Sequence, residues 1–365
     1  MLNAKASLHL RHCLRKNSIG KENEKVDSFR FALSFALIVC LSFLLTFYIY
    51  FRLLYGVKKN REVPRWIYKF GQAFQGRVHV KYENATTSTA LRDANIFLFF
   101  WLLSNVLSFA FLYYKSGNYY SAVYQCCKLQ FLIVLLAMML HSLFQFFRMT
   151  FHSSREARRW YSITNALSWV AFLSGSLLAS FVSTMGFPES PLTAQIDVTK
   201  LIVGSTKASS LIDAGFSFAG KSAESKITNK RNDPFYYGEY LEITKDGKSY
   251  GFMSVTPTWK DEDALKNCTI TYYEIPGDCA QLAEIQFNRV NLTALSLSDF
   301  QTRKITDIFS LKPANYKEIQ NESYYALTMQ TKDYALWKNY SLYAYFDTNG
   351  VVFYYGIRAQ QSIWE

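Results

Sequence analysis

Four long apolar runs, roughly residues 31–57, 94–114, 120–147 and 160–187, fill the first half of the chain, and the hydrophobicity then stops. The hydrocarbon core of a bilayer is about 30 Å thick, and about 20 apolar residues in an α-helix cross it. Each run reaches that length with almost no charge. The expected fold class is a membrane all-α bundle of four transmembrane helices followed by an α+β, mainly antiparallel β, soluble domain. In domain terms this is a basic tail (1–30), the bundle (31–187), a connector (188–234) and a β-rich domain (235–365). The first run is not read as a signal peptide, because 30 residues precede it and its apolar core is too long.

Whole-chain averages conceal the division. Residues 1–186 hold 22 Lys/Arg against 7 Asp/Glu, a net of +15, whereas residues 187–365 hold 18 against 21, a net of −3. The cationic excess therefore lies beside the spans, where it suits anionic headgroups of the lipid bilayer. Nucleic acid is not an expected partner.

Basic loops mark the cytoplasmic side of a membrane protein. The loop after the first run carries Lys58, Lys59, Arg61, Arg65, Lys69, Arg77, Lys81 and Arg92, and the loop before the fourth carries Arg148, Arg155, Arg158 and Arg159. Those twelve stand against eight on the other side, seven in the tail and Lys115 in the short second loop. The expectation is an integral protein of the cell or inner membrane with both termini, and so the C-terminal domain, extracytoplasmic. Cys268 and Cys279 form a lone pair in an otherwise cysteine-free domain, which suits one disulfide in an oxidising compartment. Four N-x-[ST] sequons, at Asn267, Asn291, Asn321 and Asn339, lie in the same domain and carry meaning only in a eukaryote.

Span three is the most polar, with Cys127, Gln130, His141 and Gln145 on one stripe at helical spacing. A pore lining or a proton relay is one reading of that stripe; a buried face bonding to Asn105 or to span four is the plainer one. As bounded above, the spans contain no Asp or Glu and only one histidine, which disfavours a proton relay or a bis-histidine haem. On span four Ala171, Gly175, Ala179 and Ser183 recur every four residues and supply a small-residue packing face.

Residues 188–234, rich in Ser, Ala, Gly, Thr and Lys, are expected to be a stalk or loose connector. Beyond Pro234 the spacing predicts strands over 236–243, 248–255, 268–275, 325–330, 340–346 and 351–359. Asp246-Gly247 marks one hairpin turn and Asp347 to Gly350 another. Helices are expected over 280–290 and over 299–311 with Ser298 as cap. The tyrosines of these strands suit a packed sheet and also a partner-binding face.

One string matches a nucleotide motif. Gly215-Phe216-Ser217-Phe218-Ala219-Gly220-Lys221-Ser222 fits G-x-x-x-x-G-K-[ST], the phosphate-cradling loop. Its interior is crowded with aromatics and its sequel is poor in apolar residues, so a connector is the favoured reading. The Asp261-Glu262-Asp263 run reads as a solvated helix start rather than a metal site. No G-x-S-x-G, H-E-x-x-H, C-x-x-C or dinucleotide glycine pattern occurs, and the five histidines, at 9, 12, 79, 141 and 152, all precede the C-terminal half. No cofactor or metal is expected. These residues point to a non-enzymatic subunit of a larger membrane complex, with other membrane subunits as partners. A transport or channel component using Gln130, His141 and Gln145 is the alternative. A membrane-tethered nucleotide-binding protein using Gly215, Gly220, Lys221 and Ser222 comes third.

Overall fold

The protein is seen as a computed structural model that describes residues 2–74, 87–151, 162–233 and 236–364. It divides into two compact units, Leu33–Thr184 and Met185–Glu365, the second together with Met1–Ala32. Of the basic residues counted above, Arg77, Lys81, Arg155, Arg158 and Arg159 lie outside the described residues, as do Trp160 at the head of the fourth run and Pro234.

The helical unit contains α1 (Leu2–Lys59, from residue 33 onward), α2 (Arg65–Ala73), α3 (Thr87–Ser116), α4 (Tyr119–Lys128), α5 (Gln130–Phe151) and α6 (Ser162–Met185). Four stretches, Asp27–Lys59, Thr87–Ser116, Gln130–Arg148 and Ser162–Met185, are long and apolar enough to cross a membrane. This is a multi-pass membrane protein. Its inner seam combines small residues (Ala90, Ala94, Ala137, Ala166, Ala171) with larger ones that include Ile49, Leu53, Ile67, Phe97, Ile163 and Leu167. That composition fits a setting where lipid is as apolar as the side chains, so helices associate through close contact rather than through escape from water.

Two boundaries differ from the sequence expectation. The third run is not one helix: Leu129 (φ −92°, ψ 4°) interrupts it between α4 and α5. The second helix begins at Thr87, ahead of the apolar run that starts at 94. Between α3 and α4 the chain turns at Gly117 (φ +60°), and the Asn118 side chain accepts hydrogen bonds from the Tyr120 and Ser121 amides to start α4. Helix α2, inside the first basic loop, buries Ile67 and Gly71, while Trp66 stacks on Tyr48 at 6.2 Å and Phe74 on Trp169 at 4.8 Å. Aromatic rings of this kind suit the level of the headgroups.

The β unit is built from β1 (Thr193–Ile196), β2 (Thr199–Ile202), α7 (Ala208–Asp213), β3 (Ser217–Phe218), β4 (Lys226–Thr228), β5 (Arg231–Asp233), β6 (Tyr236–Tyr237), β7 (Glu239–Lys245), β8 (Lys248–Thr256), β9 (Glu262–Ala264) and β10 (Thr269–Pro276). It continues with β11 (Ile285–Phe287), β12 (Val290–Asn291), α8 (Leu297–Thr302), α9 (Ile305–Ile308), β13 (Tyr316–Gln320), β14 (Tyr324–Met329), β15 (Asn339–Phe346) and β16 (Val352–Gln360). The main sheet runs β13-β14-β15-β16-β10-β8-β7-β3 and a second runs β12-β11-β1-β2; their strand pairs are antiparallel. Asp246 (φ +51°) and Gly247 (φ +73°) form the two-residue β7–β8 turn, the doubly left-handed type that matches strand twist. At the β15–β16 turn the Asp347 carboxylate accepts the Asn349 and Val351 amides, each at 2.8 Å. The sheet's two ends are short or covered: β3 has two residues, and at β13 Glu318 accepts the Thr306 amide at 3.0 Å.

Residues 188–234 are no loose stalk. Leu192, Ala194, Ile196, Leu201, Val203, Leu211, Phe216, Phe218 and Ile227 all enter the core of this unit. The expected helix 280–290 is replaced by a short 3-10 turn and the β11–β12 hairpin. The expected helix 299–311 is divided: Ser296, not Ser298, caps α8 in a reciprocal box with Asp299, and Arg303 is extended before α9 begins.

Candidate functional site: a buried acid–imidazole pair between helices

Helices α3 and α5 meet through two separate polar islands. In the first, His141 and Gln145, one turn apart on α5, both face Asp93 of α3. His141 Nε2 lies 3.0 Å from Asp93 Oδ1, Gln145 Nε2 donates to the same oxygen, and His141 and Gln145 stand 3.5 Å apart. The three are 3–8% exposed, and Phe97 closes over the imidazole edge-on at 6.1 Å. This corrects the expectation that the spans hold no carboxylate. Asp93 stands one residue ahead of the second apolar run, whose boundary rests on hydropathy alone. No glycine or proline separates Thr87 from Ala94, and that continuity was the available signal that the helix starts earlier.

In the second island Gln130 Nε2 donates to Asn105 Oδ1 at 2.6 Å, and Asn105 Nδ2 donates to the Trp101 carbonyl at 2.9 Å. Gln130 stands at the start of α5, just past the break at Leu129. There Gly175 of α6 packs so close that a Cβ on it would stand 3.1 Å from the Gln130 carbonyl oxygen. The small-residue stripe thus serves this bundle: Ala171, Gly175 and Ala179 are buried, and Ser183 is exposed. Between the islands lie buried Ile133, Val134 and Ala137. At 1.5 Å per residue, Gln130 and His141 are about 16 Å apart along the helix. The expected stripe is therefore interrupted; Cys127 is half-buried and joins neither set of bonds.

Chemically, the first island sets an acid and an imidazole in hydrogen-bond contact. A neutral imidazole donates from Nε2 to the carboxylate, and a protonated carboxyl donates back to Nε2, so the contact survives either assignment. Gln145 holds the shared oxygen in place.

The β unit carries the remaining candidates. Cys268 and Cys279 are free, which overturns the expected disulfide. They flank β10, whose two ends stand about 23 Å apart at about 3.3 Å per residue, whereas a disulfide needs Cα atoms within about 7 Å. Cys268 Sγ contacts the Ala264 carbonyl at 3.4 Å and Cys279 Sγ the Ser249 carbonyl at 3.3 Å. Burial pushes the Cys268 thiol up to about 12 and raises Cys279 as well, so neither is an activated nucleophile.

The Gly215–Ser222 string builds no phosphate cradle. Phe216 and Phe218 point into the core, Ser217–Phe218 forms edge strand β3, and Lys221 pairs with Glu239 at 2.5 Å. A turn and strand β4 follow where that motif requires a helix. Asp263 lies in strand β9 rather than at a helix start; hydrogen bonds from Asn267 and Lys260 hold it down to about 2. Among the described residues no group of three or more His, Cys, Asp or Glu is arranged to hold a metal.

Finally, the main sheet presents an aromatic face opposite its core. Core positions on β16 are Tyr355, Ile357 and Ala359, so Tyr354 and Arg358 face the other way. Tyr345 stacks on Tyr354 at 5.8 Å, Tyr324 on Tyr343 at 6.2 Å and Tyr240 on Phe252 at 5.2 Å. Arg358 lies 5.6 Å over the Tyr343 ring. At one end Phe353, 63% exposed, meets Tyr345 edge-on at 5.7 Å.

No protein-family model, no curated protein and no solved structure matches this chain.

Proposed function

We propose that the protein is a non-enzymatic subunit of a larger membrane complex, anchored by its helices, with an extracytoplasmic β domain that binds a partner. The aromatic sheet face carries this reading. Stacked tyrosines with an arginine among them, ending in the exposed Phe353, have the composition of an interface core. The separation of the polar islands supports an anchor over a conduit. The extracytoplasmic side rests on the basic-loop count, now without a disulfide behind it.

The test is the mass of the native assembly. Extracted in mild detergent, the wild-type chain migrates well above its own mass on a native gel, and replacing Tyr345 and Phe353 together by Ser releases it. A wild-type chain that migrates alone refutes the reading. For the orientation, a single cysteine at Val198, which is 82% exposed, is labelled by an impermeant maleimide in intact cells once the native thiols are replaced. Protection until lysis reverses the topology.

The Asp93–His141 contact favours one second reading, a proton-coupled transport component, because ionisable groups inside a bundle are costly and mark ion pathways. In proteoliposomes, transport that persists after His141→Leu removes it.

A further inference from the structure

At the basic end of α1 the chain folds back on itself. Arg61 donates its amide to the Gly56 carbonyl at 2.9 Å, and Asn60 adopts φ +51° to make the reversal. A side chain on Gly56 would stand 2.9 Å from the Arg61 carbonyl oxygen, so the close return depends on glycine there. Between helix and returning chain lies a cavity of about 580 Å³ whose walls include Phe51, Arg52, Tyr55, Lys58, Arg61 and Glu62. Three cations meet one carboxylate, and among the described residues none of the three forms an ion pair.

Depth narrows the occupant. Lys58 follows the apolar run directly, at headgroup level, and Arg52 is six residues earlier, about 9 Å deeper at 1.5 Å per residue. A cation there must extend its side chain toward the headgroups. The Arg52 Nε is shut off from solvent with no acceptor among the described residues, and the guanidinium lies 5.9 Å over the Tyr55 ring. Phe51 and Tyr55, 61% and 44% exposed, form an outward apolar wall. A ligand matching this gradient carries negative charge at the headgroup level and hydrocarbon below it.

We propose that this cavity is a binding site for an anionic phospholipid, with the phosphate held by Arg52, Lys58 and Arg61 and the upper acyl chain against Phe51 and Tyr55. A groove of about 500 Å³ along α3 has Arg92 as the one cation in its lining, and its charge match is weaker.

The experiment is native mass spectrometry of the full-length chain in micelles, titrated with phosphatidylglycerol or with phosphatidylcholine. Phosphatidylglycerol adducts form preferentially. Arg52→Gln weakens them about fivefold, and the triple change with Lys58→Gln and Arg61→Gln about a hundredfold, as expected where each cation near an anionic lipid contributes independently. Arg52→Lys retains most of the preference, which separates lost charge from lost folding. Lys115→Gln, at the other end of α3, leaves it unchanged. Equal binding of the two lipids, a triple variant that binds as wild type does, or an equal loss in Lys115→Gln would each overturn the proposal.

Discussion

In the helical unit Leu102, Phe111 and Phe99 stand 66%, 65% and 59% exposed, whereas in the β unit Phe300, Phe346 and Tyr355 are at most 1% exposed. The helices turn many large apolar groups outward, and inside they combine alanines with Ile49, Leu53, Phe97 and Leu167 and with paired polar groups such as Asp93 and His141. The β unit fills its centre with rings and places stacked tyrosines on one outer face. The two units answer to two solvents. In lipid the specificity of packing comes from close approach and from satisfied polar groups; in water it comes from the removal of apolar area.

The difference predicts where a single change is felt most. Phe300 contacts Phe309, Tyr325, Phe346 and Tyr355 at ring distances of 5.4–6.4 Å. Phe300→Ala is expected to destabilise the β unit by about 3–5 kcal/mol. Hydrogen exchange on the full chain in micelles will show β14–β16 losing protection while α3 and α5 keep theirs. Equal loss in both units would mean that they unfold as one.

Next in size is a half-buried acid, Glu189, that forms no ion pair among the described residues. Glu189 accepts the amides of Ala314 and Asn315 at 3.0 and 2.7 Å. Burial pushes its carboxyl up to about 7 from the ordinary 4.5, with the two amides opposing in part. Because folding raises this pKa, the contribution of Glu189 is greatest below about pH 4.5, falls as pH rises toward 7, and is flat above. At about 1.4 kcal/mol per pH unit over this window of about 2.5 units, the whole effect is at most about 3.5 kcal/mol. The melting temperature of wild type minus that of Glu189→Gln should fall across that window. A difference independent of pH would show that the carboxyl titrates normally.

The smallest effect belongs to the helical unit. Hydrogen bonds between helices in membranes are worth about 0.6–2 kcal/mol. Asp93→Asn, which keeps a polar contact to His141, is expected to cost at the low end and Asp93→Leu at the high end, measured by unfolding in mixed micelles. A loss as large as that of Phe300→Ala would break the contrast between the units.

Much of this architecture is legible in the residues. The apolar runs set the helices through length alone; Asp246-Gly247 announces its turn because few other pairs tolerate two left-handed residues, and Asp347 to Gly350 announces the other through a capping carboxylate and a left-handed glycine. What stayed hidden has physical causes. The β11–β12 turn uses Asn288 (φ +46°) and Arg289 (φ +70°), and a left-handed arginine leaves no signature in composition. The segment 188–234 looks like a linker by content, yet Leu192, Ala194 and Ile196 alternate with period two, a strand signal masked by the small residues around it. Asp93 escapes a hydropathy reading, which reports what a helix shows to lipid, because the acid–imidazole pair lies on the side the helix shows to its neighbours.

The way the main sheet ends has a consequence for how this protein behaves among copies of itself. A long open edge strand is a template on which other chains can add. Here β3 offers two residues, and at the far end Gln320 reaches the Arg303 carbonyl while Glu318 takes the Thr306 amide, so the α8–α9 segment ties itself to the border. Lys317, exposed on that last strand, adds a charge that a newcomer would have to bury. Growth by adding strands is discouraged at both borders, and crowding in the plane of a membrane should leave the β units discrete rather than fused into fibrils.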